Sequence, residues 1–518
     1  MAVNDPDAAL DYHLLTRHGS PVEHPERLVQ FRPLDPSNRP APFKRYSDRQ
    51  PEPLPRDLGT SGADAVAVLS GTYEAPPTTI DATVLARLLF FSAGVTRTST
   101  TPEGSRTYFR AAMSAGNLHP VELYVVSGGL DGVAPGVHHF SPATLGLELV
   151  RELPPGTPLT LVLTGIPWRT NWKYGERGFR HLYWDAGTLL ANVLATAAAH
   201  GLPARVQAGF VDDDVARLVG IDGATEVPLA LVTFGDEGAP AWPEELPPVV
   251  PRVAPLSPRP IEFPVVTAVQ VAGALPDTDA VRRWQATAAS LRPGPATDPV
   301  TPPPGAPSAP IESVILRRGS TRLMQRVAAP EALLAWGMAV ASRPVPADFV
   351  GAGATLLDHF LSVHAIDGVA SGTYRWRAGA LEALLQGDAR LAARRLCLDQ
   401  PLGGDSSYTA FHSSDLDEVL GALGARGYRA ALLEAGIASG RLSLAAFASG
   451  FGATGLTFFD EPVRRFFDTN SWCMLVTSVG VPAYRNTPGG LPGAATELRH
   501  FDDVMLQLSR QLHAGGDF

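Results

Sequence analysis

The segment RGFRHLYWDAG, residues 177–187, returns as RGYRAALLEAG, residues 426–436, and each copy opens a long apolar helical run. LDGVAPG (130–136) likewise returns as IDGVASG (366–372), FVDDDVARL (210–218) as FFDEPVRRF (458–466), and LVTFG (231–235) as LVTSVG (475–480). Four matches in one order at nearly constant spacing identify a duplicated domain. Each copy reads as α+β: helix, loop, two strands, long buried helix, short strand, short amphipathic helix, final strand. The long helices, about 181–200 and 430–449, are rich in Ala and Leu nearly all round, which suits burial on every side. In a single-domain ancestor such helices would pack across a two-fold interface, so a tandem chain is expected to build an intrachain pseudo-dimer that need not be symmetric.

Composition bounds the rest. A chain of 518 residues is long enough for two or three domains. Between them, from about Asp236 and ending in RPGPATDPVTPPPGAPSAP, the composition turns to proline, which predicts a semi-rigid spacer without a core. The expected division is a first domain over 1–240, a proline-rich linker over 241–310 and a second domain over 311–518. The hydrophobic fraction of 45% and charged fraction of 18% describe a globular protein, and no apolar run is read as membrane-spanning. The start, MAVNDPDAALDYHLL, carries acids where a secretory signal would be basic, and only Cys397 and Cys473 are present. These features predict a reducing cytoplasm, no disulfide framework and no metal site. A net charge of -10 disfavours non-specific binding to nucleic acid.

The copies differ where chemistry is expected. In YFRAAMSAGNLHPVELYVV (108–126), the small residues Ser114, Ala115, Gly116 and Asn117 end in a His-Pro and feed a strand at Val121. Nearly bare backbone of this kind admits a close partner. The second copy has ASRPVPADFVGAGATLL there. NWKYGERGFR, with Lys173 and Tyr174, likewise becomes LGALGARGYR. The reverse holds at the opening of the second copy, VILRRGSTRLMQR. Arg317, Arg318, Ser320 and Arg322 there fit a phosphate monoester, or equally a solvated basic turn, where the first copy has only Lys44, Arg45 and Ser47. One copy keeps an anion anchor and the other keeps the loop and the Lys-Tyr pair.

FRAAMSAGNLHPVELY (109–124), KYGERGFRHLYWDAG (173–187) and RRGSTR (317–322) resemble motifs of the nitroreductase-like flavoprotein superfamily, in its SagB/ThcOx-type dehydrogenase branch. YHLLTRHGSPVEH (12–24) and PAPFKRYS (40–47) are similar to its tandem-domain members. The resemblance implies two nitroreductase-like domains, each a mainly antiparallel sheet packed with helices around a long buried helix. It also implies FMN at their interface. Carried onto this chain, Arg317, Arg318, Ser320, Arg322 and Arg485 would hold the phosphate; Ser114, Ala115, Gly116 and Asn117 would run along the ring edge; Gly455, Leu456 and Thr457 would line the ring from the second copy. The reciprocal site lacks both loop and anchor, so one FMN per chain is expected. Met113 stands where proline is usual in this group.

In azoline-oxidising members a ring Cα–H leaves as a proton while hydride passes to the flavin. The resemblance assigns the proton to Tyr174, activated by Lys173 beside it, with the roles open to exchange. The expected function is oxidation of an azoline to an azole in a peptide or amino-acid-derived product. The alternatives are an NAD(P)H-dependent nitro or quinone reductase and a non-catalytic scaffold in a peptide-modifying complex; further homodimerisation is left open. Arg110 and Arg180 fit either a flavin contact or an internal ion pair, and His119 either a polar contact or packing beneath the loop. The triple Asp at 212–214 fits a helix N-terminus. GFGATG (450–455) follows a helix and precedes a strand, the reverse of a dinucleotide-binding fingerprint.

Overall fold

The computed structural model describes residues 4–19 and 33–498, apart from 77, 103, 236–241, 244, 293–299 and 304. Ser20 to His24 of the N-terminal motif and part of the proline-rich run therefore lie outside the described residues. Two lobes carry the same antiparallel sheet. In the first, strands follow the order Gly146–Arg151, Gly136–Ser141, Val121–Ser127, Thr160–Gly165, Val227–Phe234, Ala204–Gln207. In the second the order is Ala380–Gln386, Gly372–Arg377, Asp358–Val363, Tyr408–Ser414, Trp472–Pro482, Gly452–Leu456. Strand for strand these correspond, so the α+β pseudo-dimer expected from the repeats is the fold.

The long helices Gly178–Ala199 and Leu416–Ala448 cross between the sheets and are buried along nearly their whole length. The second starts earlier than its apolar pattern indicated because a preceding helix runs into it at Gly424. That residue has φ 63° and ψ -162°; its counterpart Gly175, with φ 55° and ψ -136°, separates Pro167–Tyr174 from the next helical turn. Such φ values favour glycine, and both copies keep one. By length and hydropathy Leu416–Ala448 is apolar enough to cross a membrane, contrary to the reading of the sequence, but 94% of its most apolar stretch is buried inside the protein.

Reciprocal ion pairs tie the lobes together. Arg177 and Arg180 of the first lobe donate to Asp460 of the second, at 2.9 and 2.6 Å. Their counterparts Arg426 and Arg429 donate to Asp212 of the first, at 2.5 and 2.8 Å. Burial would raise both carboxyls, but the paired guanidiniums outweigh it and hold them below the usual carboxylate range. Residue i of one copy meets residue j of the other and the reverse, as a two-fold interface requires. Asp212 does stand in the first turn of the helix Asp212–Val219, as expected, yet its carboxylate is committed to the other lobe. Arg180 is likewise an internal ion-pair partner.

The proline-rich linker is not merely a spacer. It contains the helices Pro264–Ala272 and Thr278–Ser290, the second capped by Asp277, whose side chain accepts from the Ala280 N–H. Val266, Val269, Trp284 and Ala288 are buried in the main core. Pro264 sits at a first-turn position where no amide is needed, and the prolines on either side concealed the helical pattern between them. At the other end, Thr496–Leu498 returns to the first lobe and pairs in parallel with Val95–Thr100.

Candidate active site

His181 and Asp185 lie one turn apart on the first core helix and so face the same way. Asp185 accepts from the Ser114 hydroxyl at 2.5 Å and from the Ala115 N–H at 3.0 Å, which clasps the small-residue loop to the helix. Burial pushes this carboxyl up to about 7, against the pull of those two hydrogen bonds. The Ser114 hydroxyl also accepts from the His119 N–H. The Ser114 hydroxyl and the Ala115 amide are therefore engaged with the helix. Asn117 is engaged too, donating to the Tyr108 carbonyl and meeting His119 Nε2, both at 2.8 Å.

Gly116 sits at φ 63°, between Ser114 and the left-handed Asn117 and His119. A Cβ there would lie 2.8 Å from Tyr174 Oη and 3.1 Å from Lys173 Nζ. The loop and the Lys-Tyr pair are thus brought together. Their protonation tendencies run opposite to an ammonium-stabilised phenolate. Burial first, then the charge of Asp185, pushes the Tyr174 phenol up, with only Arg322 pulling against it. Burial first, then Arg322 and Arg39, pushes the Lys173 ammonium down. Lys173, not Tyr174, is the group moved toward its basic form.

A cavity of about 1040 Å³ opens beside the pair. Lys173, Tyr174 and His181 line it from the first lobe, Gln400 and Thr457 from the second, and Ile261 and Phe263 from the segment between. Thr457 thus sits at the wall, and Gly455 is exposed. Leu456 between them is 6% exposed, its side chain packed in the core.

The anion anchor also assembles. The Thr321 N–H donates to the Ala453 carbonyl, which lays the second-copy opening beside Gly452–Leu456. The Arg322 N–H donates to Tyr484 Oη at 3.0 Å, and Gly319 lies against Asn486, so the Tyr484–Asn486 turn with Arg485 joins them. Arg317, Arg322 and Arg485 are exposed, and Arg318 is buried. Arg318 donates twice to the Ala111 carbonyl of the first lobe, and burial together with Arg97 pushes its guanidinium down to about 9. Arg97, in a segment that reads only as a strand, donates to the carbonyls of Thr487 and Leu316 and is pushed down to about 10 by burial. None of these five guanidiniums forms an ion pair with a carboxylate among the described residues. Two adjacent buried cations bonded only to carbonyls suit an anionic ligand.

Arg110 does not join the main cavity. It is buried beneath the loop, donates to the Pro42 carbonyl at 2.6 Å and lies over Phe43; burial and the like charge of Arg169 push its guanidinium down to about 10, against the pull of Glu122.

The pseudo-symmetric position is built differently. The counterparts of Thr457 and Tyr174 are Gly209 and Leu423, and the linker residue Trp284 touches both. Its indole N–H donates to the Leu423 carbonyl at 3.0 Å, and its ring would lie 3.0 Å from a Cβ on Gly209. The amides of Ala208 and Gly209 donate to Asp348 at 2.7 and 2.9 Å. Lys44 of the thinner anchor is committed to Glu226 at 2.5 Å and Tyr124 at 2.6 Å.

Residues 76–236 match the model of the nitroreductase family. The chain is 26% identical over 166 residues to the nitroreductase-type protein MJ1384 of Methanocaldococcus jannaschii, covering 29% of this chain and 78% of that protein. It is 30% identical over 143 residues to the microcin B17-processing protein McbC of Escherichia coli, covering 24% of this chain and 53% of that one. A nitroreductase-type crystal structure from Anabaena variabilis shares the fold with a TM-score of 0.70 and 24% identity, over 92% of this chain and 99% of that chain.

Proposed function

We propose that this chain is an FMN-dependent dehydrogenase oxidising an azoline ring in a peptide or amino-acid-derived product, a reading that the match of residues 76–236 to the nitroreductase family supports at the level of an oxidoreductase. The observation that carries this reading is the Lys-Tyr pair converging on Gly116 at the wall of a cavity shared by both lobes. The residues present fit FMN. Arg318 and Arg97, with Arg317, Ser320, Arg322 and Arg485, would hold the phosphate, and the bare main chain at Gly116 and Gly455 with Thr457 would border the ring. Bound there, FMN would supply the oxidising equivalent, taking up hydride and passing it to oxygen.

The chain's own part is the proton. Lys173, pushed toward the neutral amine, takes it from the ring carbon, while Tyr174, pushed toward the neutral phenol, donates a hydrogen bond to the substrate. This reverses the roles first assigned to the pair. An NAD(P)H-dependent nitro or quinone reductase has no need of a base at this wall. The similarity to a microcin-processing protein supports placement in the SagB/ThcOx-type branch with a peptide substrate; a peptide-modifying complex as partner is part of the proposal. Trp284 at the degenerate position supports a single FMN per chain.

The test pairs a thiazoline peptide under oxygen with a nitroarene plus NADPH, in wild type and Lys173→Met. Thiazole formation lost in the variant supports the proposal. Reduction of the nitroarene by both proteins, with the thiazoline untouched, would replace it with the reductase.

A further inference from the structure

The two copies keep the acid of the core helix and differ at the residue one turn before it. Asp185 and Glu434 hold the same place in the repeat, and each accepts from the loop ahead of its own lobe's strand. Asp185 binds Ser114 and Ala115; Glu434 binds the Leu356 N–H at 2.8 Å and the Thr355 hydroxyl. That contact serves both lobes, including the one that lacks the Lys-Tyr pair. His181 is different: its counterpart is Ala430, just as the counterpart of Tyr174 is Leu423. The imidazole is present only where the phenol is.

The contact between the two rings is direct. His181 stacks on Tyr174 with centroids 3.9 Å apart and planes 20° from parallel, and it meets Trp184 edge-on at 4.8 Å and 84°. Among the described residues neither of its ring nitrogens has a hydrogen-bond partner, although the residue is 4% exposed. A histidine retained for internal hydrogen bonding would find acceptors for them. What the ring does supply is a flat face, fixed from behind by Trp184, against the residue whose hydroxyl stands over Gly116.

We infer that His181 is a positioning residue for Tyr174, the platform that holds the phenol at the cavity wall beside Lys173. The inference rests on the reading that this pair acts on substrate. The same helical face then sets both sides of the site, Asp185 the loop and His181 the phenol.

The test places 3-fluorotyrosine at position 174 and compares wild type, His181→Phe and His181→Ala by fluorine NMR on the full chain stripped of flavin. The expected result is one buried-type resonance in wild type and the Phe variant, and a resonance shifted toward that of solvent-exposed fluorotyrosine in the Ala variant. In the flavin-loaded enzyme, His181→Ala should lower kcat by about tenfold to a hundredfold with KM nearly unchanged, and Phe should restore it to within a few-fold. A resonance unmoved in His181→Ala overturns the inference. So does a His181→Phe variant that is folded and flavin-loaded yet as impaired as Ala. If the resonance moves as expected but no azoline is turned over, the reaction assigned to the site fails while the placement of Tyr174 stands.

Discussion

Gly187 and Gly436 meet at the crossing of the two core helices, each filling the space a side chain on the other would need. A Cβ on Gly187 would lie 2.6 Å from the Gly436 Cα, and one on Gly436 would lie 2.8 Å from the Gly187 Cα. Both are the last residue of the repeated segment, so equivalent positions touch on the pseudo-two-fold axis. Gly187→Val should destabilise the protein by about 3 kcal/mol or more, because main chain on both sides prevents relaxation. Gly421→Ala, in the helical stretch just ahead of Gly424 and with nothing within 4 Å of where its Cβ would stand, should instead be neutral or stabilise by up to about 1 kcal/mol. Denaturant titration of both variants checks this contrast.

The reciprocal ion pairs give a second prediction. Asp460→Asn and Asp212→Asn each leave two buried guanidiniums short of a charge, and each should cost about 3–5 kcal/mol. The two costs should be similar, since the surroundings are related by the duplication. A variant that unfolds at the wild-type denaturant concentration would show that its pair does not hold the lobes together.

Asp185 gives stability a slope with pH. An unfolded Asp titrates near ~4, whereas in the folded chain Asp185 keeps its proton up to about 7. Between these values the folded state binds more protons, so stability falls as pH rises, by at most about 1.4 kcal/mol per pH unit for one group. Asp185→Asn should remove this part of the decline in thermal midpoint. Losses at lower pH, where Asp212 and Asp460 take up protons, should remain.

Activity should follow Lys173. A base must be unprotonated, so kcat/KM for an azoline peptide should rise with pH and level off above the lysine's pKa, which burial and Arg322 place below the ordinary ~10.4. Lys173→Arg stays protonated throughout and should lose about a hundredfold or more. A pH–rate profile of both proteins decides it.

The duplication was legible because RGFR and RGYR, or FVDDD and FFDEP, survive as strings. The exchange of partners between copies was not, because a repeated Asp212 and Asp460 do not reveal that each is bound by the other copy's arginines. The linker helix was hidden by its flanking prolines, although Asp277 three residues before Ala280 is a cap signal and TDAVRRWQATAAS is helical in composition. That the loop and the Lys-Tyr pair lie together was legible in their joint loss from the second copy. Their protonation tendencies were not, because burial and the charge of Asp185 depend on packing. Arg97 carried no signal of its own. His181 did: set against Ala430, it changes with Lys173 and Tyr174.

The most direct test of one working site at the lobe interface is the flavin content of the purified chain, by visible spectrum and released FMN. A single FMN per chain is the predicted result, lost in Arg318→Ala and retained in Trp284→Phe. Two FMN per chain, or none after reconstitution, would contradict the account.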